Sequence, residues 1–341
     1  MNAPTLALPA AIGDVQVPVT SALRTAVGRL CRGAEHIVAY HHGWVDAVGA
    51  PTEANGGKML RPALALLSAR AAGAPAEAGL PAAVAVEMTH AFSLLHDDIM
   101  DGDAIRRHRP TAWKVFGAPL AILAGDTLLA ASLSVLLDSG LPGAAAASRR
   151  LASDTRRLIE GQASDLAFES RTDVSVSECL LMARQKTGAL LGCAAALGAE
   201  LVGAPASQAD GLARFGEEIG VAFQLVDDLL GIWGSPAQTG KAVLSDLRIR
   251  KKSLPVVAAL QAGGSSSNAL AELYLRPEPL DEEQLQRAAE LIELADGRAW
   301  AEAEAARRLK TAAFVLTDLG LAPGVHADFL GVAAFVTGRD F

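Results

Sequence analysis

The sequence contains few aromatic residues and few cysteines, and each shortage excludes a class of protein. Of its 341 residues, 51% are hydrophobic but only 4% are aromatic. The apolar content is therefore mostly Ala, Leu and Val, which favours close-packed helices over a sheet-rich barrel. The three cysteines, Cys31, Cys179 and Cys193, are widely spaced and fit no zinc pattern. We expect reduced thiols in a cytoplasmic protein, so a metal site would need oxygen ligands.

Positive charge is also scarce. The net charge of −8 argues against a nucleic-acid partner or an anionic membrane surface. Residues 1–18 lack the basic segment of a secretory signal and contain prolines, so we expect a flexible tail there. The longest charge-free window, residues 253–270, contains Pro255 and two glycines, and we expect no membrane span. Basic residues that do cluster therefore need a local anion.

The apolar residues recur every three or four positions along most of the chain, which predicts helices. No shift in composition divides the sequence, so we expect one all-α domain over residues 19–341, with residues 261–268 (QAGGSSSN) as a flexible surface loop. The helical pattern covers residues 21–48, 59–72, 81–101, 118–138, 143–169, 174–201, 206–232, 281–293 and 296–319.

Three close aspartates stand in the stretch LLHDDIMDGDAIRRHRP, residues 94–110. Asp97 and Asp101 are four residues apart, so on a helix their carboxylates point to one side, with Asp98 flanking them. A solvated first turn of a helix is one explanation, but the preceding run AFSLLH is apolar. The other explanation is a magnesium site, because Mg²⁺ prefers oxygen ligands and often binds together with a substrate phosphate.

Basic residues and a second aspartate pair extend this pattern. Arg106, Arg107 and Arg109 suit phosphate oxygens, which guanidinium groups bind through paired donors. Asp227 and Asp228 follow an apolar helical run, and two facing helices could hold several ions between them. The pattern predicts magnesium and a polyphosphate without naming a reaction.

Further charged and polar groups lie in four short stretches. NGGKMLRP (55–62) places Lys58 and Arg61 at a helix start, although a solvated loop pair explains it equally well. The stretch TGKAVLSDLRIRKKSLP is not a nucleotide-binding P-loop, because Ala242 follows Lys241 and the glycine spacing is wrong. Polar residues in GQASDLAFE (161–169) and RQKTGALLG (184–192) need partners amid apolar neighbours. These groups are Gln162, Asp165, Lys186, Thr187, Lys241, Asp246, Arg250, Lys251 and Lys252.

Seven motifs together resemble the trans-isoprenyl diphosphate synthases, the polyprenyl synthetase family, over about residues 20–340. In order they are GGKMLRP, HAFSLLHDDIMD, RRHRPTAW, GQASDL, KTGALL, FQLVDDLLG, and TGK with SDLRIRKKSLP. The resemblance implies a bundle of long helices around a central cavity, usually in a homodimer. The implied reaction joins isopentenyl diphosphate head-to-tail to an allylic diphosphate, with Mg²⁺, three ions per site, drawing charge from the departing diphosphate.

The resemblance also implies a role for each site residue. Asp97, Asp101 and Asp227 would bind magnesium directly, with Asp98 and Asp228 in direct or water-mediated support. Lys186, Lys241, Arg106 and Gln224 would hold the allylic diphosphate, and Lys58, Arg61, His90 and Arg107 would hold isopentenyl diphosphate. Thr187 is a further substrate-binding residue, and so is Lys251, near a closing loop.

Product length should depend on the residues below Asp97. Ser93, one helical turn away, is small, and Phe92, five positions before Asp97, is large. The resemblance makes Phe92 the floor and implies the twenty-carbon geranylgeranyl diphosphate, with farnesyl diphosphate as runner-up. Met88 and Thr89 would not fix the length alone, and a packing role is the alternative for Phe92.

Two departures from the family pattern keep other functions open. Gly231 replaces the last aspartate of DDxxD, and Met59 replaces an arginine of the first motif. A non-catalytic regulatory subunit is one alternative, supported only by Gly231. A class I terpene cyclase is the other, but such an enzyme needs no second diphosphate site and has a different second metal motif.

Overall fold

The computed structural model describes residues 13–52, 59–235 and 243–338, and nearly all of these are helical. One two-stranded hairpin, β1 (Ile105–Arg106) and β2 (Arg109–Pro110), interrupts the helices. The predicted all-α bundle is confirmed. The α-helices of the described residues are α1 (Gln16–Val27), α2 (Arg32–His41), α3 (Leu60–Ala71), α4 (Leu80–Met100), α5 (Ala112–Phe116), α6 (Ala118–Leu137), α7 (Ala144–Ser170), α8 (Val176–Ala183), α9 (Ala189–Leu201), α10 (Ala206–Trp233), α11 (Ser245–Arg248), α12 (Leu254–Gln261), α13 (Gly264–Tyr274), α14 (Glu282–Leu294), α15 (Gly297–Asp318) and α16 (Pro323–Thr337).

Helix α9 lies at the centre of the bundle and packs on α3, α4, α7 and α10. Almost every residue of α9 is buried, and its glycines let neighbouring backbones approach closely. A Cβ atom at Gly198 would lie 2.0 Å from the Ala65 carbonyl oxygen, and one at Gly216 of α10 would lie 2.4 Å from that of Leu191. Small residues thus explain how a core poor in aromatics becomes tightly packed.

Helices α8 and α9 do not form the single regular helix that the pattern of residues 174–201 predicts. A π-helical turn, Arg184–Gly188, joins them. Gly161 of α7 lies against this turn, because a Cβ there would meet the Lys186 backbone nitrogen at 2.3 Å. This π-helical turn carries Lys186 and Thr187, and such turns are frequent at functional sites.

Two sequence expectations about flexible segments need correction. Helix α1 begins at Gln16, inside the expected tail of residues 1–18, since Pro18 falls in the first turn, where a missing N–H is tolerated. Helix α13 begins at Gly264, inside the expected loop of residues 261–268. Ser267 Oγ donates to the carbonyl oxygens of Ala259 (2.6 Å) and Gly263 (2.9 Å), which fixes that turn. Residues 1–12 lie outside the described residues.

Among the described residues, two helices are long and apolar enough to cross a membrane by length and composition alone, a test that the core helix of a soluble protein also meets. In the segment Ala76–Met100, 72% of the apolar window is buried inside the fold, so α4 is a core helix. In Ala118–Leu137 only 33% is buried. Helix α6 therefore presents an apolar surface that includes Leu120, Ile122 and Leu123.

Candidate active site

The last turns of α4 and α10 carry the two aspartate clusters, and charged contacts connect them. Lys251 Nζ lies 3.8 Å from Asp228 Oδ1. Burial lowers the pKa of Lys251, but the Asp228 and Asp246 carboxylates outweigh burial and raise it above its usual value. The Lys251 charge also acts on Asp101. Lys251 thus interacts with both clusters, and its role in binding substrate stays a prediction.

Asp97 and Asp101 form the exposed side of the first cluster. Burial raises the pKa of Asp97 to about 6, the charge of Lys186 opposes this shift, and the neighbouring Asp101 carboxylate adds to it. Burial also raises the pKa of Asp101, again against Lys186. A cation bound beside these two carboxylates would favour their ionised forms, so the pair suits a cation site.

Asp98 is only 1% exposed, whereas Asp101 is on the surface. Its Oδ1 accepts a hydrogen bond from Arg106 Nε at 2.6 Å, and its Oδ2 is buried with no hydrogen-bond partner among the described residues. The bond to Asp98 fixes the Arg106 side chain beside the cluster. It occupies only Nε, so the rest of the guanidinium keeps donors for a phosphate.

A chain of hydrogen bonds joins the π-helical turn to the second cluster. Thr187 Oγ1 donates to Gln224 Oε1 at 2.7 Å, and Gln224 Nε2 donates to Asp228 Oδ1 at 2.9 Å. The backbone N–H of Leu254 donates to Asp228 Oδ2 at 2.9 Å. Asp228 is 2% exposed, and burial raises its pKa to about 6 despite the opposing charge of Lys251. Asp228 is therefore held rigidly.

Lys186 precedes Thr187 in the same π-helical turn. Its Nζ donates to Asp165 Oδ2 on α7 at 2.5 Å. The same ammonium acts on Asp97 and Asp101. Lys186 thus offers one cation between α7 and the first aspartate cluster, and its role in an allylic diphosphate subsite stays a prediction.

Two arginines and the neutral His90 form a second group, about two helical turns before Asp97 on α4. Arg61 Nη1 donates to His90 Nε2 at 3.2 Å, and burial lowers the pKa of His90 well below its usual value, so its ring is neutral. Burial lowers the pKa of Arg107 as well, and the Glu87 carboxylate opposes this shift. Arg61, His90 and Arg107 therefore form a group that can bind a second anion.

The hairpin presents Arg107 in a strained turn. Arg107 and His108 have φ angles of 50° and 61°, in the left-handed region. Such residues cost of order 1–3 kcal/mol each and need support from their surroundings. Arg109 supplies it, because it donates to the carbonyl oxygens of Tyr40 (3.1 Å) and Val45 (2.9 Å). Arg109 therefore anchors the hairpin to α2 and the loop that follows, a structural contact that the sequence pattern, which suggested phosphate binding, did not predict.

The glycine that replaces the last aspartate of the second motif has a carboxylate beside it. A Cβ atom at Gly231 would lie 2.3 Å from Asp246 Oδ2 and 2.7 Å from Oδ1. Asp246 is 8% exposed. The space that a side chain at position 231 would need is therefore occupied by an acidic group from α11.

The residues proposed to set product length separate into two faces of α4. Phe92 and Met88 belong to an apolar cluster shared with α1, α2 and α6, and the Phe92 ring meets the His96 ring edge-on at 4.8 Å. Ser93 and Thr89 are buried, and their hydroxyls donate to the carbonyl oxygens of His90 (2.9 Å) and Ala85 (3.0 Å). Ser93 and Thr89, with short side chains, thus lie one and two turns below Asp97. The role of Phe92 as a floor stays a prediction.

Two predicted site residues are not among the described residues, and two residues near the site had no predicted role. Lys58 and Lys241 fall in residues 53–58 and 236–242, which are not described. The sequence predicted no specific role for Asp165 or for Glu87. Glu87 is 6% exposed, and its charge acts on both Arg61 and Arg107. A single acidic residue in the apolar run of α4 is the signal that could have identified it.

The acidic residues suit magnesium by their chemistry. Within residues 13–52, 59–235 and 243–338, no three His, Cys, Asp or Glu side chains come close enough to hold an ion alone. Magnesium usually keeps waters and takes one or two carboxylates together with substrate phosphates. Asp97 and Asp101 of α4 and Asp227 of α10 provide such a partial set of oxygen ligands, and the orphaned Oδ2 of Asp98 adds a buried acceptor.

Comparisons with known proteins agree with this geometry. A family model described as Polyprenyl synthetase matches residues 42–292. Over 324 residues the chain is 46% identical to (2E,6E)-farnesyl diphosphate synthase of Mycobacterium tuberculosis (strain ATCC 25618 / H37Rv), covering 94% of this chain and 90% of that protein. A geranylgeranyl diphosphate synthase of the same strain is 42% identical over 85% of this chain and 83% of its own length.

The fold agrees as well. The crystal structure of a polyprenyl synthetase from Streptomyces coelicolor A3(2) matches with a TM-score of 0.92 and 50% identity, covering 96% of this chain and 98% of that one. Family model, relatives and fold all extend over most of the chain. The chain belongs to the polyprenyl synthetase family of prenyltransferases.

Proposed function

We propose that this protein joins isopentenyl diphosphate to an allylic diphosphate and releases inorganic diphosphate. The observation that carries the proposal is the presence of two separate cationic groups beside the first aspartate cluster. Lys186 acts on Asp97 and Asp101, whereas Arg61 and Arg107 lie near the neutral ring of His90. Two diphosphates need two such subsites, whereas an enzyme that ionises a single allylic diphosphate needs one.

The condensation needs no protein nucleophile. The C–O bond of the allylic diphosphate breaks, the diphosphate leaves with the electron pair, and an allylic cation remains. The double bond of isopentenyl diphosphate then forms the new C–C bond, and loss of a proton to the released diphosphate restores a double bond. Lys186 and Arg106 stabilise the charge that grows on the leaving group, which is where preorganised donors accelerate a reaction most.

Magnesium is the cation that the acidic residues would hold. When bound, it supplies Lewis-acid stabilisation of the departing diphosphate. Asp97, Asp101 and Asp227 are the residues that would hold it, with Asp98 and Asp228 in support and three ions per site. Gln224 and Thr187 orient Asp228 through the hydrogen bonds described above.

The assembly is proposed to be a cytoplasmic homodimer, with its interface on α6. Leu120, Ile122 and Leu123 on this helix are 50%, 41% and 59% exposed. A contiguous apolar surface of this kind usually marks a protein interface, and a two-fold dimer would bury the same surface on both subunits. Leu123→Glu should convert the dimer to a monomer in light scattering; an unchanged mass would place the interface elsewhere.

The product is proposed to be geranylgeranyl diphosphate, with farnesyl diphosphate as the second candidate. Ser93 and Thr89 place short side chains below Asp97, which supports the longer chain. The comparisons weigh somewhat against it, because the farnesyl diphosphate synthase is the more identical of the two relatives. Resolving the dephosphorylated products after incubation with dimethylallyl, geranyl and farnesyl diphosphates decides between a fifteen- and a twenty-carbon chain.

Omitting one substrate at a time tests the reaction type. The proposal predicts product only when allylic diphosphate, isopentenyl diphosphate and Mg²⁺ are all present. A cyclic hydrocarbon made from allylic diphosphate alone would identify a terpene cyclase instead. A folded protein that binds both diphosphates with Mg²⁺ but turns over neither would identify a regulatory subunit.

A further inference from the structure

Arg184, the first residue of the π-helical turn, is bound by two glutamates of α10. Its Nη2 donates a hydrogen bond to Glu218 Oε1 at 3.2 Å, and its Nη1 lies 3.7 Å from Glu217 Oε2. The side chains of Glu217 and Glu218 are only 17% and 13% exposed, whereas that of Arg184 is 39% exposed. Removing Arg184 would leave two adjacent, largely buried carboxylates with one cation fewer, which is unfavourable in a site shielded from water.

Arginines from two other helices hold the same glutamates in place. Arg157 of α7 donates to Glu217 Oε1 at 2.6 Å, and Arg308 of α15 donates to Glu218 Oε2 at 3.1 Å. A network of several charges fixes side chains better than an isolated surface pair does. Because each glutamate is also bound from a second helix, the pair forms a fixed support for Arg184.

The last residue of the turn, Gly188, packs closely against α10. A Cβ atom at Gly220 of α10 would lie 2.6 Å from the Gly188 Cα, and one at Gly188 would lie 3.3 Å from the Glu217 carbonyl oxygen. The turn is therefore held to one helix at both ends. An ionic contact holds it at Arg184, and close backbone packing holds it at Gly188.

The residues between these two ends carry the contacts with the active site. The charge of Lys186 acts on Asp97 and Asp101, and Thr187 Oγ1 donates to Gln224 Oε1 at 2.7 Å. Lys186 is only two positions after Arg184, so a displacement of the start of the turn would displace the Lys186 ammonium as well.

We infer that Arg184 is a positioning residue for the allylic diphosphate. Its ion pairs with the two glutamates of α10 hold the π-helical turn in the place from which Lys186 meets this substrate. The inference rests on the proposed function, since it concerns the same allylic subsite. Arg184 acts through Lys186 and lies outside the seven sequence motifs.

Four changes test this role. Arg184→Met removes the charge and keeps an unbranched side chain, whereas Arg184→Lys keeps a cation within reach of a glutamate. Glu218→Gln weakens the same contact from the α10 side and is made alone and together with Arg184→Met. Arg70→Met is the matched control, because the Arg70 side chain is also 39% exposed and pairs with Asp328 at 2.7 Å, but it lies near the end of α3.

Two readouts distinguish positioning from general stability. Hydrogen exchange of the amides of residues 184–188 in the free protein measures how firmly the turn is held. Binding of an unreactive thiolo-diphosphate analogue of the allylic substrate, and KM for each substrate, measure the effect on the subsite. We expect Arg184→Met to accelerate this exchange and to weaken analogue binding on the order of tenfold, with KM for isopentenyl diphosphate unchanged.

The other variants refine this expectation. Arg184→Lys should bind the analogue more tightly than Arg184→Met, and Arg70→Met should match the wild type in both readouts. The double variant of Arg184→Met with Glu218→Gln should lose less affinity than the sum of the two single losses, because both changes remove one contact.

The outcomes separate the inference from the proposed function. Wild-type analogue affinity in folded Arg184→Met, equal rises in both KM values, or additive losses in the double variant would overturn the role of Arg184 and leave the proposed function intact. If circular dichroism shows that Arg184→Met does not fold, Arg184→Lys and Glu218→Gln decide by the same criteria. A wild-type protein that binds no analogue with Mg²⁺ would overturn the proposed function itself.

Discussion

Gly161→Ala tests whether a steric clash with the π-helical turn outweighs the gain in helix propensity. In an exposed helix interior, replacing glycine by alanine stabilises the fold by roughly 1 kcal/mol. At Gly161 the new Cβ would lie 2.3 Å from the Lys186 backbone nitrogen and 2.7 Å from its Cα. Ordinary contact begins at 3.4 Å, so α7 and the π-helical turn must separate by about 1 Å.

The size of the effect follows from which atoms collide. Overpacking a well-packed core costs typically about 1–3 kcal/mol, and backbone atoms yield less easily than the end of a side chain. We therefore expect Gly161→Ala to lose about 1–2 kcal/mol in urea unfolding after the gain in helix propensity. The displaced turn carries Lys186 and Thr187, so KM for the allylic substrate should rise several-fold while KM for isopentenyl diphosphate stays unchanged.

Gly331→Ala is the control, because Gly331 lies within α16 and a Cβ there would meet nothing within 4 Å. Its free energy of unfolding should rise by roughly 1 kcal/mol. A Gly161→Ala protein that is as stable as this control would refute the claim that Gly161 sets the contact between α7 and the turn. Equal changes in both KM values would refute the claim that the turn serves one subsite only.

Three further changes test other parts of the site. Arg109→Lys should raise KM for isopentenyl diphosphate several-fold without changing that for the allylic substrate, because Lys cannot bridge Tyr40 and Val45; a change in both values would contradict the anchoring role. As the pH rises from 4 to 6, metal-free protein should lose about 2–3 kcal/mol of stability for each of Asp97 and Asp228, since both keep their protons to about pH 6 when folded but release them near 3.8 when unfolded. Asp228→Asn should roughly halve this slope in unfolding experiments at several pH values, and an unchanged slope would assign it to other groups. Phe92→Ala should cost about 3–5 kcal/mol of stability and lengthen the product; an unchanged product length would leave Phe92 with a packing role alone.

The helices and the aspartate clusters could be predicted because their signals are local. Apolar spacing defined α4, α7 and α10 within a few residues, and one-turn spacing placed Asp97 and Asp101 on one face. The motifs then gave the family, which the comparisons confirm.

The contacts that support those clusters could not be predicted, because they join distant positions. Arg109 resembles its neighbours Arg106 and Arg107 in sequence, yet it binds backbone carbonyls of α2 and the loop that follows. Asp246 is 15 residues from Gly231, and only the fold brings them together. The π-helical turn depends in the same way on the close approach of Gly161, which apolar periodicity does not record.

The central claim is that this chain alone joins two diphosphate substrates in a Mg²⁺-dependent condensation. The most direct measurement incubates the purified protein with Mg²⁺, geranyl diphosphate and labelled isopentenyl diphosphate, and counts labelled prenyl product against released diphosphate. The account predicts one diphosphate released for each isopentenyl unit incorporated, and no incorporation without Mg²⁺ or without the allylic partner. No incorporation by a folded protein that binds both substrates, or diphosphate release without isopentenyl diphosphate and with a cyclic product, would contradict it.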